Sequence, residues 1–285
     1  MDYDRLLDPE IRAFIAETEG FTPPGLDPDD WVGQRAAYDR MAAHFHAGRP
    51  PVEVRDERIG TVPVRRYGAG ATVLYLHGGG FVLGGLDSHD DICAEIAARV
   101  GCAVVSVDYR LGPEHPHPAA YDDAAQVARA LGPVVLCGDS AGATLCAALA
   151  GTFPKGSFLA QVLIYPLLGY PPEGGSFDIH AHAPLLSRDE VLLYDRLRGA
   201  APDDPRHCPA KGNLADLPPT WLFPAEADPL HDDALRYAEA SGARVVEGAG
   251  LVHGWLRARH RSARAGAAFD RIIAVLSDLA GPRAA

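Results

Sequence analysis

The feature that most restricts this chain is a series of short, continuously apolar runs, each ending in a polar or glycine-rich turn. They are Thr72–Leu76, Cys102–Val107, Val134–Cys137, Leu159–Tyr165, Thr220–Phe223 and Arg244–Val246. Apolar residues without alternation suit strands covered on both faces, as in parallel sheets. Helical patterns separate them, near 88–100, 118–131, 141–152, 187–198, 230–241 and 254–278. Val52–Ile59 and Val62–Tyr67 alternate instead, and predict a half-exposed antiparallel pair. Strand–helix alternation of this kind predicts an α/β, doubly wound, mostly parallel sheet of about eight strands. Ligands of such sheets sit beyond the carboxyl ends of the strands, so the residues just after each strand are where chemistry is expected.

Two regions depart from the alternation. Residues 2–18 and 28–47 predict two helices, split by Phe21-Thr-Pro-Pro-Gly25, which a helix cannot cross. Residues 168–215 are rich in Pro, Gly and His and hold one expected helix. The division expected is 1–47 as N-terminal cap helices and 48–285 as the main α/β domain, with 168–215 contributing to the cap. The 285 residues carry 26 Lys+Arg against 38 Asp+Glu, a formal net charge of −12, so no basic field is available for nucleic acid or an anionic membrane. The longest apolar stretches fall short of the roughly 18 residues that cross a bilayer. The first residues read as an amphipathic helix rather than a signal peptide, and the five cysteines form no C-x-x-C, so a reduced, cytoplasmic protein is expected.

Gly138-Asp139-Ser140-Ala141-Gly142 follows one apolar run and opens a helical stretch. G-x-S-x-G between strand and helix is a nucleophile elbow, in which a strained turn exposes the serine oxygen beside the Ala141 N–H at the helix start. His77-Gly78-Gly79-Gly80 follows another run directly. Glycines let backbone N–H groups face a cavity without side chains in the way, so the Gly78 and Gly79 amides, with that of Ala141, are the expected oxyanion hole. No Lys-Ser/Thr follows, and no G-x-G-x-x-G is present, which argues against a phosphate loop. His77 itself is expected to brace the loop.

An attacking serine needs a base, and the base an acid to orient it. Asp228 follows Thr220–Phe223 and His253 follows Arg244–Val246, in the order Ser, Asp, His. Glu226 is a rival acid and His260 a rival base. His44-x-His46, His115-x-His117 and His180-x-His182 are at most metal half-sites without a third ligand, so no metal is expected. The basic run Arg257–Arg264 reads as a solvated helix face.

Together, Tyr75–Gly84, Asp108–Pro116, Gly138–Gly142, Ala225–Leu230 and His253-Gly254 resemble the hormone-sensitive-lipase-like family of α/β-hydrolase serine esterases. The resemblance implies an α/β-hydrolase fold, a helical cap, no cofactor, a small-molecule ester substrate of short acyl chain, and in some members a homodimer through an edge strand. It also implies that Asp108, Tyr109, Arg110 and Glu114 brace the loops around the site as buried polar groups. Ala143 and Gly112 stand where the family usually has Gly and Ala, and the stretches after Ala150, around 198–212 and around 238–246 look trimmed. The alternatives are an amide-cleaving deacetylase or formamidase with the same triad, and a non-catalytic ligand-binding protein on this scaffold. The residues that bind the substrate are not legible.

Overall fold

The computed structural model describes residues 1–27, 29–169 and 173–281; Pro28, residues 170–172 of the expected cap segment and 282–285 lie outside them. Eight strands form one sheet: β1 (Val54–Ile59), β2 (Val62–Tyr67), β3 (Thr72–Leu76), β4 (Ala103–Val107), β5 (Val134–Asp139), β6 (Phe158–Ile164), β7 (Thr220–Phe223) and β9 (Arg244–Val245). Their spatial order is β1-β2-β4-β3-β5-β6-β7-β9. β2 runs antiparallel to both β1 and β4, and every other neighbouring pair is parallel. The alternating and the continuous runs therefore become the antiparallel and the parallel parts of the sheet, as the patterning requires.

Because side chains alternate across a strand, a run that is apolar throughout feeds two cores at once. Val73, Tyr75, Val104, Val135 and Cys137 point into one, while Leu74, Leu76, Val105, Val134 and Leu136 point into the other. The second core is closed by α5 (Ala119–Leu131) and α6 (Ala141–Thr152). The first is closed by α4 (Asp90–Val100) and α10 (Ala263–Ala280).

The expected helix over 2–18 is broken into α1 (Tyr3–Leu6) and α2 (Pro9–Glu19). Asp8 caps α2 by accepting from the Ile11 N–H at 2.9 Å, and Pro9 takes the first helical position, where a missing N–H costs nothing. α3 (Trp31–Phe45) follows. Leu7, Ile11, Phe14, Ile15, Met41 and Phe45 belong to the same core as Tyr75 and Ile92. α3 is also tied down by Arg35, which donates to Val82 O and Gly112 O and grips both carboxylate oxygens of Glu114 at 2.7–2.8 Å. The segment 168–215 holds α7 (Ser176–Ile179) and α8 (Arg188–Arg198), the latter opened by a complete Ser187/Glu190 capping box. α9 (His231–Ser241) follows the loop that carries Asp228.

Two short strands were not legible in the sequence. β8 (Ala225–Ala227) and β10 (Gly248–Val252) pair in parallel as a separate two-stranded ribbon.

The basic run needs correction. Residues 255–258 form a 3-10 turn ahead of α10, and Arg257 and Arg259 are buried, not solvated. Arg257 donates to Ser88 O and Tyr38 Oη at 2.8 and 2.9 Å. Arg259 is held by Asp91 and Glu95. A buried guanidinium is tolerated because acceptors surround it.

Candidate active site

Ser140 sits between β5 and α6 at φ 50°, ψ −119°, a backbone conformation that side chains with Cβ rarely adopt. It is tolerated because strand and helix are clamped around it. A Cβ on Gly142 would run into the Leu76 and His77 carbonyls, and one on Gly138 would lie 2.6 Å from Leu76 O. Only glycine allows that approach, and the close packing fixes the serine oxygen at the sheet's carboxyl end.

The β8–β10 ribbon explains the other two residues. Ala227 and Val252 are register partners, so the residues that follow them, Asp228 and His253, leave the ribbon side by side. The His253 Nδ1–H donates to Asp228 Oδ2 at 2.7 Å, and the Ser140 hydroxyl donates to His253 Nε2 at 2.9 Å. A carboxylate can only accept, which fixes the Nδ1–H tautomer and leaves Nε2 as the acceptor facing the serine. Asp228 is wholly buried, and its other oxygen accepts from the Leu230 N–H at 2.8 Å. The rivals are engaged elsewhere: Glu226 accepts from the Gly250 N–H at 2.6 Å, and His260 pairs with Glu95 at 2.8 Å.

The glycine loop departs from expectation at one residue. The Gly78 N–H is already donated to Asp139 Oδ1 at 3.0 Å, in a buried bond. It therefore drops out of the expected oxyanion hole: a donor spent on a carboxylate cannot meet a second anion. The Gly79 and Gly80 amides have no acceptor among the described residues, and both glycines have positive φ, 125° and 60°. Ala141 is the first residue of α6, so its N–H lacks an intrahelical acceptor. Gly79, Gly80, Ala141, Ser140 and His253 all line one cavity of about 800 Å³, and Gly78 does not. Sequence cannot show which of three adjacent amides is already occupied, so the Gly80 amide joins the candidate donors only at this point.

His77 braces the loop. It is fully buried, its Nδ1 lies 2.8 Å from Gly78 O, and its ring stacks on Tyr109 with centroids 4.2 Å apart. Burial, with His89 beside it, pushes its pKa down to about 3, so it stays neutral. Tyr109 donates to His77 O at 2.6 Å. Asp108, Arg110 and Glu114 are exposed, which corrects the expectation of a buried network; Arg110 pairs with Asp123 and Glu114 with Arg35 at the surface.

The cavity wall comes from segments far apart in sequence. Phe14, Phe21, Trp31, Tyr38 and Met41 belong to the N-terminal segment, and Leu185, Val191 and Tyr194 to residues 168–215. Tyr194 lies over Gly80, where a Cβ would fall 2.7 Å from its ring. The histidine pairs are occupied singly, His44 with Glu17, His46 with Asp90, His117 with Asp204 and His180 with Tyr3. No group of three or more His, Cys, Asp or Glu that could hold a metal occurs among the described residues. No helix among them is long and apolar enough to cross a membrane.

Residues 73–257 match the family described as alpha/beta hydrolase fold. The chain is 39% identical over 211 residues to "Esterase LipI" of Mycobacterium tuberculosis, an alignment covering 65% of this chain and 65% of that protein, just under two thirds of its length. It is 34% identical over 265 residues to "Carboxylesterase NlhH" of the same species, covering 82% of this chain and 78% of that one. A solved esterase from the bacterial hormone-sensitive lipase family superposes with a TM-score of 0.86 at 26% identity, covering 95% of this chain and 98% of that one.

Proposed function

The chain belongs to the α/β-hydrolase family, among esterases of the hormone-sensitive-lipase type, and from that premise we propose that it is a serine carboxylesterase. The observation that carries the reading is the unbroken chain of hydrogen bonds from Asp228 through His253 to Ser140, with unpaired amides lining the same cavity. Ser140 Oγ attacks the ester carbonyl while His253 Nε2 takes its proton. Asp228 holds the imidazole and stabilises its charged form. The Gly79, Gly80 and Ala141 amides receive the tetrahedral oxyanion, each donor of this kind being worth roughly 10²–10³ in turnover. The imidazolium then protonates the leaving alcohol. The same base activates the water that releases the acid from Ser140.

Short acyl esters are the proposed substrates, a reading supported by the relatives' names, one of which is "Ethyl acetate hydrolase" from Pseudomonas putida. Residues 1–47 and 168–215 are read as the cap, because both supply walls of the cavity. A homodimer would use the exposed edge strand β9, whose Val245 is 37% exposed. The buried thiols of Cys93, Cys102, Cys137 and Cys146 are compatible with the reducing cytoplasm as its location. Turnover of p-nitrophenyl acetate and butyrate tests the activity: Ser140→Ala is expected to abolish it while preserving the melting transition. Retained hydrolysis in that variant would remove Ser140 from the role.

A further inference from the structure

We infer that Asp139, the residue before the nucleophile, is a positioning residue that sets the oxyanion hole by holding the glycine loop against the elbow. The inference rests on the serine-esterase reading above and deepens it. The hole draws its donors from two places that are distant in sequence, the loop after β3 and the start of α6. Nothing in either segment alone fixes their spacing. Asp139 joins them, because its backbone leads directly into Ser140 and Ala141 while its carboxylate bonds the loop. Oδ1 accepts from the Gly78 N–H at 3.0 Å and from Tyr75 Oη at 2.8 Å. Tyr75 lies on β3, three residues ahead of Gly78, so one oxygen gathers donors from the strand and from the loop that follows it. The approach is close: a Cβ on Gly78 would collide with this carboxylate.

The arrangement also explains how an anion is tolerated next to a site where negative charge develops. Asp139 is buried, yet His89 Nε2 lies 3.3 Å from it and Tyr165 Oη donates to Oδ2 at 3.4 Å. Arg257, buried in the turn after β10, adds a positive charge nearby. Burial alone would raise the Asp139 pKa, but these groups hold it well below the usual carboxylate range. The carboxylate's charge is met by His89 and Arg257, while Oδ1 acts on the loop only as an acceptor. Gly78 thus forgoes contact with substrate so that Gly79 and Gly80 can make it.

The test compares Asp139→Ala, Asp139→Asn and Ser140→Ala with the parent protein, using p-nitrophenyl butyrate and an alkyl trifluoromethyl ketone. The ketone forms a hemiketal on Ser140 whose oxyanion occupies the hole. Asp139→Ala leaves the Gly78 N–H unpaired, and is expected to lower kcat about 10²-fold with KM within about threefold. Ketone affinity should fall by a similar factor. Asp139→Asn keeps an oxygen for Gly78 and Tyr75, and should return kcat to within tenfold of the parent. A folded Asp139→Ala protein with kcat within tenfold of the parent would overturn the inference, as would a loss confined to KM or an Asn variant as slow as the Ala one. If Asp139→Ala does not fold, Asp139→Asn decides by itself: a loss within tenfold supports the acceptor role, and a larger loss rejects it. Turnover surviving in Ser140→Ala would instead strike the esterase reading beneath.

Discussion

At the scale of single residues, the site depends on where a Cβ can and cannot stand. Ser140 holds its strained dihedrals only because Gly138 and Gly142 let β5, α6 and the end of β3 come within contact of one another. The atoms that a Cβ on Gly142 would strike are backbone carbonyls of Leu76 and His77, which cannot swing aside as a flexible side chain could. Gly142→Ala is therefore expected to cost about 1–3 kcal/mol or more, because overpacking against fixed atoms displaces backbone. Chemical denaturation reads that loss directly, and turnover should fall with it. An alanine variant as stable and active as the parent would mean that the elbow is looser than its geometry implies.

At the scale of elements, the placement of acid and base comes from the β8–β10 ribbon, and that ribbon is braced from outside. His231, at the start of α9, lies between Asp232 at 2.8 Å and Glu247 at 3.1 Å, the latter immediately before β10. The bond to Glu247 leads in raising the His231 pKa to about 9, with burial opposing and Asp232 adding to it. A pKa raised in the folded state stabilises the fold fully below the unfolded value near 6.5, and that contribution is lost as pH rises through 9. Stability should thus decline between about pH 6.5 and 9, by about 1 kcal/mol once solvent screening is allowed for. His231→Asn should flatten that part of the profile in denaturant titrations at several pH values; an unchanged decline would locate it elsewhere. The ribbon was also the part of the fold least legible in the sequence. Ala225-Glu226-Ala227 and Gly248-Ala249-Gly250 are poor strand formers by composition, and they become strands because each finds the other. The inner strands β3 to β7 of the main sheet, by contrast, announce themselves through apolar residues that any sheet would bury, whereas the edge strands β1 and β9 are mostly exposed.

At the scale of the whole molecule, the N-terminal helices do more than line the cavity. Leu7, Ile11, Phe14, Ile15, Met41 and Phe45 share one core with strands β3, β4 and β5. Arg264 and the Ala263 N–H, at the start of α10, reach back to Asp8 and Glu10 at 2.9 and 2.7 Å. Deleting residues 1–47 is therefore expected to yield aggregated or molten protein rather than a smaller, open enzyme, because several large apolar side chains of the remaining core would face water. Soluble yield and a cooperative thermal transition would check this; a truncated chain that melts cooperatively would show that the segment is a detachable lid.

Periodicity and local motif were enough to predict the sheet and the elbow, and to offer Asp228 and His253 beside the rivals Glu226 and His260, since strand burial and turn chemistry act over a few residues. Local signals could not decide which of three neighbouring glycine amides stays free, because that depends on a carboxylate 61 residues further along the chain. Nor could they show that Arg257 and Arg259 turn inward, because charge reads as solvated until folding surrounds it with acceptors. Those outcomes belong to the tertiary structure: a hydrogen bond consumes a donor only once distant segments meet, and that meeting spends the Gly78 amide while Gly79 and Gly80 line the cavity.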